Sequence, residues 1–427
     1  MNAPQISTLT ASRAARVQHV VSKAGLEAWL VEDYAVPLVA MEFALEGGST
    51  QDPDGRMGAA SMMAGLMDEG AGHLDAQAFH NALDDKAIEI SFSSDSDSFH
   101  GRLKTMSRNI DAAFALLKLA VNQPRFDTDA IERVRAQMLA GLRHEANDPD
   151  ALAGKAWREM AFPGHAYGRP ARGTQDSVAA ITRDDLVGLH QRFMQRHGLK
   201  LAVVGAIDAT KLASLLDDVF GGLPERTTLT KIETVTMQGL GTRKVIDVDV
   251  PQSTIRFGLP GIDLHDPDHI PAMVLNHILG GGVFSARLFK EVREKRGLAY
   301  SVHSQLASFR HTASFIGGTS TKNERAAESL FVIEEEIRKL AAEGPSAEEL
   351  EKAQKYLIGS YDLRFDTSTK IAGQLAHLQA EGLPVTWLDE RNRLVANVTL
   401  ADMARVGERL FKGKELVVAV AGRPIGM

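Results

Sequence analysis

The chain has 427 residues, 44% hydrophobic and 24% charged, with a formal net charge of −7 and no cysteine. That length exceeds one ordinary core and implies two domains, and the charge argues against nucleic acid or an anionic membrane as a main partner. Without cysteine there are no disulfides and no thiolate chemistry, and no apolar run approaches the roughly 18 residues of a membrane helix. The first stretch, MNAPQISTLTASRAARVQHV, lacks the apolar core of a secretion signal. It reads as cytoplasmic as written, or periplasmic if an export signal has been removed.

Leu26 to Phe43 predicts a β-hairpin, with arms Ala28–Val31 and Val36–Phe43 around a polar turn at Glu32-Asp33. A Gly- and Asp-rich loop and a helix over Gly58–Asp68 follow. Its methionines, Met57, Met62, Met63 and Met67, read as core packing or, less simply, as a soft face for a partner helix. A strand, Ile88–Phe92, then leads to a helix over Asp111–Val121, and Thr128 opens a long helix over Asp129–His144. Ile181–Leu186 opens a helix leading to an apolar strand, Leu201–Gly205. The same order then repeats. A hairpin over Thr242–Phe257 precedes a helix over His269–Leu279. A strand Ala313–Gly318 leads to a helix over Glu324–Leu340, and Ser346 with Glu349 forms a capping box for Ala347–Tyr361. Val398–Met403 leads to Leu416–Gly422. Matching positions stay roughly 216 residues apart, which predicts an internal duplication. The joint falls at Gly221–Gly241, giving domains over 1–222 and 242–427 with a linker at 223–241. The predicted class is α+β, each domain a mixed, mostly antiparallel sheet with helices packed on it.

Within the second copy, Leu279–Ser304 reads LGGGVFSARLFKEVREKRGLAYSVHS. Gly280, Gly281 and Gly282 predict a flexible loop that tolerates positive φ and close backbone approach. Ser285 is the expected N-cap of a helix with an apolar stripe of Phe284, Leu288 and Val292. Glu291 and Lys295 form an i,i+4 pair, and Gly297 is the expected C′ stop. Arg293 then lies on the last turns of the helix and Tyr300 at the start of a strand. A guanidinium and a phenol beside a glycine loop could bind a peptide carbonyl and the oxyanion it becomes. A glycine turn before a charged amphipathic helix is also ordinary scaffolding.

This stretch closely resembles the Arg/Tyr segment of the M16 metallopeptidases, the pitrilysin, insulysin and mitochondrial processing peptidase group. Arg293 and Tyr300 have the family's spacing of seven. The resemblance covers nearly the whole chain and implies two homologous domains of the LuxS/MPP-like metallohydrolase type. It also implies that Arg293 and Tyr300 contact substrate at a zinc site carried by another half or subunit. The family's zinc motif, H-x-x-E-H, would fall on Gly58–Gly70. Here Ser61 and Gly65 stand for the two His and Ala64 for the Glu, none of them a usable zinc ligand or base. The family's further Glu ligand comes from the helix around Ile131–Glu145, where no counterpart can be placed.

The remaining candidates are weaker. His265-Asp266-Pro267-Asp268-His269 has metal-capable residues but reads more simply as a turn and N-cap. His73 and His80 read as surface histidines around Asp75, which would cap the next helix. No G-x-S-x-G, Walker loop or complete G-x-G-x-x-G occurs. The resemblance thus implies a zinc-free subunit, inactive alone, paired with a homologous H-x-x-E-H subunit that holds the zinc. Arg293 and Tyr300 would carry catalysis and Gly280–Gly282 would bind a peptide or unfolded polypeptide. Self-association as a homodimer in isolation is compatible with this. The alternatives are an assembly protein, or a peptide-binding protein that captures segments by edge-strand addition without cutting them.

Overall fold

The structure, a computed structural model, describes residues 12–427. The N-terminal stretch read for a secretion signal lies, through residue 11, outside the described residues. The first half runs β1 (Gln18–Val21), β2 (Glu27–Glu32), β3 (Leu38–Glu46), α1 (Ala59–Ala64), α2 (Ala76–Asp84), β4 (Glu89–Ser94) and β5 (Ser98–Met106). It continues with α3 (Ile110–Asn122), α4 (Thr128–Glu145), α5 (Pro149–Ala161), α6 (Gln175–Ala180), α7 (Arg183–Phe193), β6 (Lys200–Gly205) and α8 (Ala209–Phe220). The second runs β7 (Arg243–Ile246), β8 (Gln252–Pro260), α9 (His269–Asn276), β9 (Ala299–Phe309), β10 (Thr312–Lys322) and α10 (Ala326–Glu343). It closes with α11 (Ala347–Gly359), α12 (Ser368–Ala380), α13 (Trp387–Ala396), α14 (Leu400–Phe411) and β11 (Val417–Ala421). Between them, Pro224 to Gly239 forms neither helix nor strand.

Two sheets result, ordered β1-β2-β6-β3-β5-β4 and β7-β11-β8-β10-β9. Apart from β1 their topologies are the same, as the duplication predicts. In each, the last strand runs parallel to the first arm and antiparallel to the second. The two expected hairpins are therefore not hairpins. β6 enters between β2 and β3, and β11 between β7 and β8. β11 is apolar throughout and β6 is apolar without a break over Leu201–Val204, and the sheet centre is where both strand faces become buried. The expected match of Ile88–Phe92 with Ala313–Gly318 also shifts by one strand, because β5 was not foreseen. β4 corresponds to β9, and β5 to β10.

Helix starts follow local chemistry. Thr182, Ser346 and Thr399 each close a capping box on α7, α11 and α14. Asp75 caps α2 by accepting from Ala78 N–H at 2.9 Å. Thr128, by contrast, is the first residue of α4 rather than its cap. Asp127 precedes it, and its carboxylate is taken by Arg125 at 2.6 Å.

Each sheet buries one face under its own helices. Met41, Phe43, Leu201 and Val203 belong to the first core, and Ile255, Phe257, Val418 and Val420 to the second. The opposite faces are covered by exchange. From the second half, α12 lays Ala372, Leu375 and Ala376 over Ala40, Ala202 and Val204. From the first half, α5 lays Ala156, Trp157 and Ala161 over Val417 and Ala419. Each exchanged helix also bonds to the foreign sheet: Gln379 Nε2 donates to Leu201 O at 2.8 Å and Trp157 Nε1 to Val417 O at 3.2 Å. The β9–β10 turn adds a third tie. Arg310 pairs with Glu46 at 2.9 Å, and Arg310 N–H donates to Asp97, which also accepts from the Tyr167 hydroxyl.

Candidate functional site

The Arg/Tyr site is built where helix meets edge strand. Arg293 ends a helical segment that is π-wound over Phe289–Glu294. Gly297, at φ 59°, stops it: Gly297 N–H returns to Arg293 O at 3.0 Å and Leu298 N–H to Val292 O at 2.8 Å. That reversal brings Tyr300, at the start of β9, back beside Arg293. The guanidinium carbon lies 4.7 Å from the Tyr300 ring centre and 4.7 Å from that of Phe289. Phe289 is buried and Tyr300 is 83% exposed. The guanidinium therefore rests on two aromatic rings, a contact worth about 0.5–1 kcal/mol where exposed. No carboxylate pairs with Arg293 and no group hydrogen-bonds the Tyr300 hydroxyl among the described residues. Both polar ends remain available at the outer strand of the sheet.

Several local expectations hold and others change. Glu291 pairs with Lys295 at 2.6 Å, and with Arg296 as well. Leu288 and Val292 are buried, but Phe284 is 69% exposed. It sits in a short 3-10 turn ahead of the helix, so the helical period does not carry it inward; instead it packs edge-on against Phe289 with ring centres 5.2 Å apart. Ser285 does not cap the helix, since its hydroxyl donates backward to Gly282 O at 2.9 Å.

The glycine run is not an open loop. Gly280 and Gly281 end a π-wound extension of α9, and Gly282 has φ −87°, so none needs the left-handed region. Their lack of a side chain serves close approach. A Cβ on Gly280 would meet Ser304 N at 2.8 Å and the Ser304 hydroxyl closer still. Ser304 in turn donates to Asn276 Oδ1 at 2.7 Å, which clips β9 to α9. Gly280 is buried and Gly281 exposed.

Arg287 anchors the front of the helix. It grips Glu349 with two bonds of 2.7 Å each, at the N-terminus of α11. The Arg287 hydrogen bonds hold the Glu349 carboxyl down at about 2, against the opposing effect of burial. Because this lies below the ordinary 4.5, the stabilisation is complete above pH 4.5 and is lost as pH falls toward about 2. Glu349→Gln is expected to cost about 1–3 kcal/mol at neutral pH. Urea melts of both proteins at falling pH should show that difference shrinking; a difference independent of pH would rule out the ion pair as its source.

The helix expected to carry the degenerate zinc motif is α1. Its N–H groups at Gly58 and Ala60 are taken by Asp52 at 2.7 Å each. Ala64 is buried, and a Cβ at Gly65 would meet Val134 of α4 at 3.5 Å, so the surface facing this helix is apolar there. Among the described residues no group of three or more His, Asp or Glu is placed to hold a metal. In the His265–His269 run the carboxylates serve ion pairs. Arg409 reaches Asp266 at 2.5 Å and Asp268 at 2.9 Å, and Arg405 reaches Asp268 at 2.7 Å. These arginines hold both carboxyls below their usual range and tie α14 to the start of α9. No described helix is long and apolar enough to cross a membrane.

The architecture defines a class: a duplicated α+β chain with two mixed sheets, each braced by a helix from the other half. Two family profiles match it in succession, "Insulinase (Peptidase family M16)" over residues 30–175 and "Peptidase M16 inactive domain" over 180–357. The chain belongs to the M16 peptidase family. Among relatives, it is 27% identical to the "Non-peptidase homolog YmxG" of Helicobacter pylori, over 83% of this chain and 82% of that one. It is also 27% identical to an "Uncharacterized zinc protease" of Mycobacterium leprae, over 74% and 72%. A crystal structure titled peptidase M16 inactive domain, from Pseudomonas fluorescens, superposes with a TM-score of 0.89 at 25% identity, covering 96% of this chain and 98% of that one.

The sequence did not reveal Phe289 as the platform under Arg293, because an apolar residue off the predicted stripe carries no signal of its own. The exchange of α5 and α12 was also missed. Its trace was visible: β6 and β11 are apolar at successive residues, as strands covered on both faces must be.

Proposed function

We propose that this chain is the zinc-free subunit of a two-subunit M16 peptidase, lending Arg293 and Tyr300 to a site completed by an H-x-x-E-H subunit that holds the zinc. The observation that supports it is the Arg293–Tyr300 stack, whose polar ends have no partner among the described residues. Arg293 donates to backbone carbonyls of a bound peptide or unfolded polypeptide. Tyr300 donates to the scissile carbonyl oxygen as negative charge gathers there. Gly281 and Gly282 let that peptide pass close to the backbone, while Gly280 serves packing. Cleavage should appear only when this chain is mixed with the zinc subunit, and should vanish with EDTA. EDTA-sensitive cleavage by the purified chain alone would overturn the proposal.

A second reading, a peptide-holding or assembly protein with no part in proteolysis, is favoured by the unpaired outer edge of β9. It predicts peptide affinity in the isolated chain that the zinc subunit does not change.

A further inference from the structure

A cavity of about 950 Å³ lies where the halves meet, between α5, the segment around Arg169–Asp176, and the β8, β9 and β10 strands. Trp157, Phe162, Phe309 and Ile316 supply apolar wall. Its charge runs against that of the whole chain, since five Arg and Lys side chains line it against three carboxylates. Two of those carboxylates are already engaged: Asp150 with Arg256 at 2.6 Å, and Glu145 with Arg172. Asp176, the third, is exposed. Arg158 is different. Its guanidinium has no ion pair and no hydrogen bond among the described residues. Arg158 is exposed to solvent at the cavity wall, and its pKa is depressed, first by desolvation of the part that is covered and second by Arg256. Lys155 pairs with Glu159 at 4.0 Å and Arg169 with Asp54 at 3.2 Å, but Arg169 keeps a buried Nε–H without an acceptor among the described residues. The uncommitted donors of the wall are thus the Arg158 guanidinium and the Arg169 Nε–H, in a space large enough for several residues of a peptide.

We propose that this cavity binds acidic side chains of a polypeptide, with Arg158 as the anchor and Arg256 beside it. A polypeptide source fits better than a free anion on two grounds. The cavity's apolar wall would cover the stem of a Glu or Asp side chain. Its floor includes His303 and Gln305 of the edge strand β9, where a main chain could run. His303 lies three residues beyond Tyr300 on the same strand, at most about 10 Å, with a register shift between Ala299 and Val302. An acidic side chain there would belong to the same extended segment that reaches the Arg/Tyr pair.

The test uses the purified full chain and needs neither partner nor turnover, so its outcome is independent of the proposed role in proteolysis. A fluorescein-labelled peptide of alternating Glu and Ala is compared with its Gln counterpart at low salt. The Glu peptide is expected to bind about tenfold more tightly, and Arg158→Gln to remove most of that preference. Arg158→Lys should retain part of it. On the unaltered chain, added salt should weaken the Glu peptide and leave the Gln peptide nearly unchanged. Equal affinity for the two peptides overturns the proposal, as does an Arg158→Gln chain that melts normally and keeps the full preference. Displacement of the Glu peptide by inorganic phosphate at equal concentration overturns the polypeptide source and leaves a small-anion site.

Discussion

A Tyr300→Phe chain, paired with a zinc-bearing H-x-x-E-H subunit, is expected to cleave peptide about 10²–10³-fold more slowly, about 2.7–4 kcal/mol of lost transition-state stabilisation. The change removes one oxygen and keeps the ring, so the stack on Arg293 and the turn at Gly297 survive. The loss should fall on kcat with KM little altered, since the hydroxyl acts on charge that develops only during reaction. Arg293→Gln should differ: a group that holds ground-state carbonyls raises KM as well. Arg293→Lys should not restore wild-type behaviour, because an ammonium lacks the flat face that packs on Phe289 and Tyr300. Zinc content of the complex, measured alongside, should be the same for every variant. An unchanged kcat for Tyr300→Phe would mean that the hydroxyl touches nothing in the reaction and that the pair only packs.

The local structure around Arg293 and Tyr300 was largely legible in the sequence. Gly297, the Glu291–Lys295 pair and the buried Leu288 and Val292 obey short-range rules, and such rules place Arg293 and Tyr300 on the two sides of one turn. The duplication was legible for the same reason, since helix openings such as Ile181–Leu186 and Val398–Met403 recur at a fixed separation, and in the structure Thr182 and Thr399 close a capping box in each. What failed was long-range. Strand order depends on which strand is buried on both faces. A pair such as β2 and β3 looks like a hairpin until β6 arrives from more than 150 residues away. β5 was hidden by its composition, with Gly101, Arg102 and Lys104 within four residues. Gly101 belongs there because the Phe43 ring fills the space a Cβ would need. The π-wound segments, one running into the glycines over His277–Gly281 and one over Phe289–Glu294, have no signature in period or propensity.

The exchange of helices carries the largest expected effect on stability. Trp157 is nearly fully buried against Val417, Ala419 and Phe162, and its indole N–H has a buried acceptor in Val417 O. Trp157→Ala is expected to cost about 3–5 kcal/mol, from lost burial and the cavity left behind. Against the roughly 5–15 kcal/mol of a typical fold this is a large share. The cost should not be confined to one half, because α5 is the cover of the other half's sheet. Heat or urea should therefore unfold the whole chain in a single transition, displaced but not split by Trp157→Ala. The same physics forbids independent halves. A fragment of residues 242–427 would expose Val417, Ala419 and Ile316 on its bare sheet face, and the apolar stripe Ala372, Leu375, Ala376 and Leu378 of α12. Fragments 12–241 and 242–427 are expected to be aggregated or unfolded apart, by circular dichroism and light scattering, and to recover native signal when refolded together. Two separate, cooperative melts from the separate fragments would show that the crossed helices are ornament and that each sheet is stable under its own cover alone.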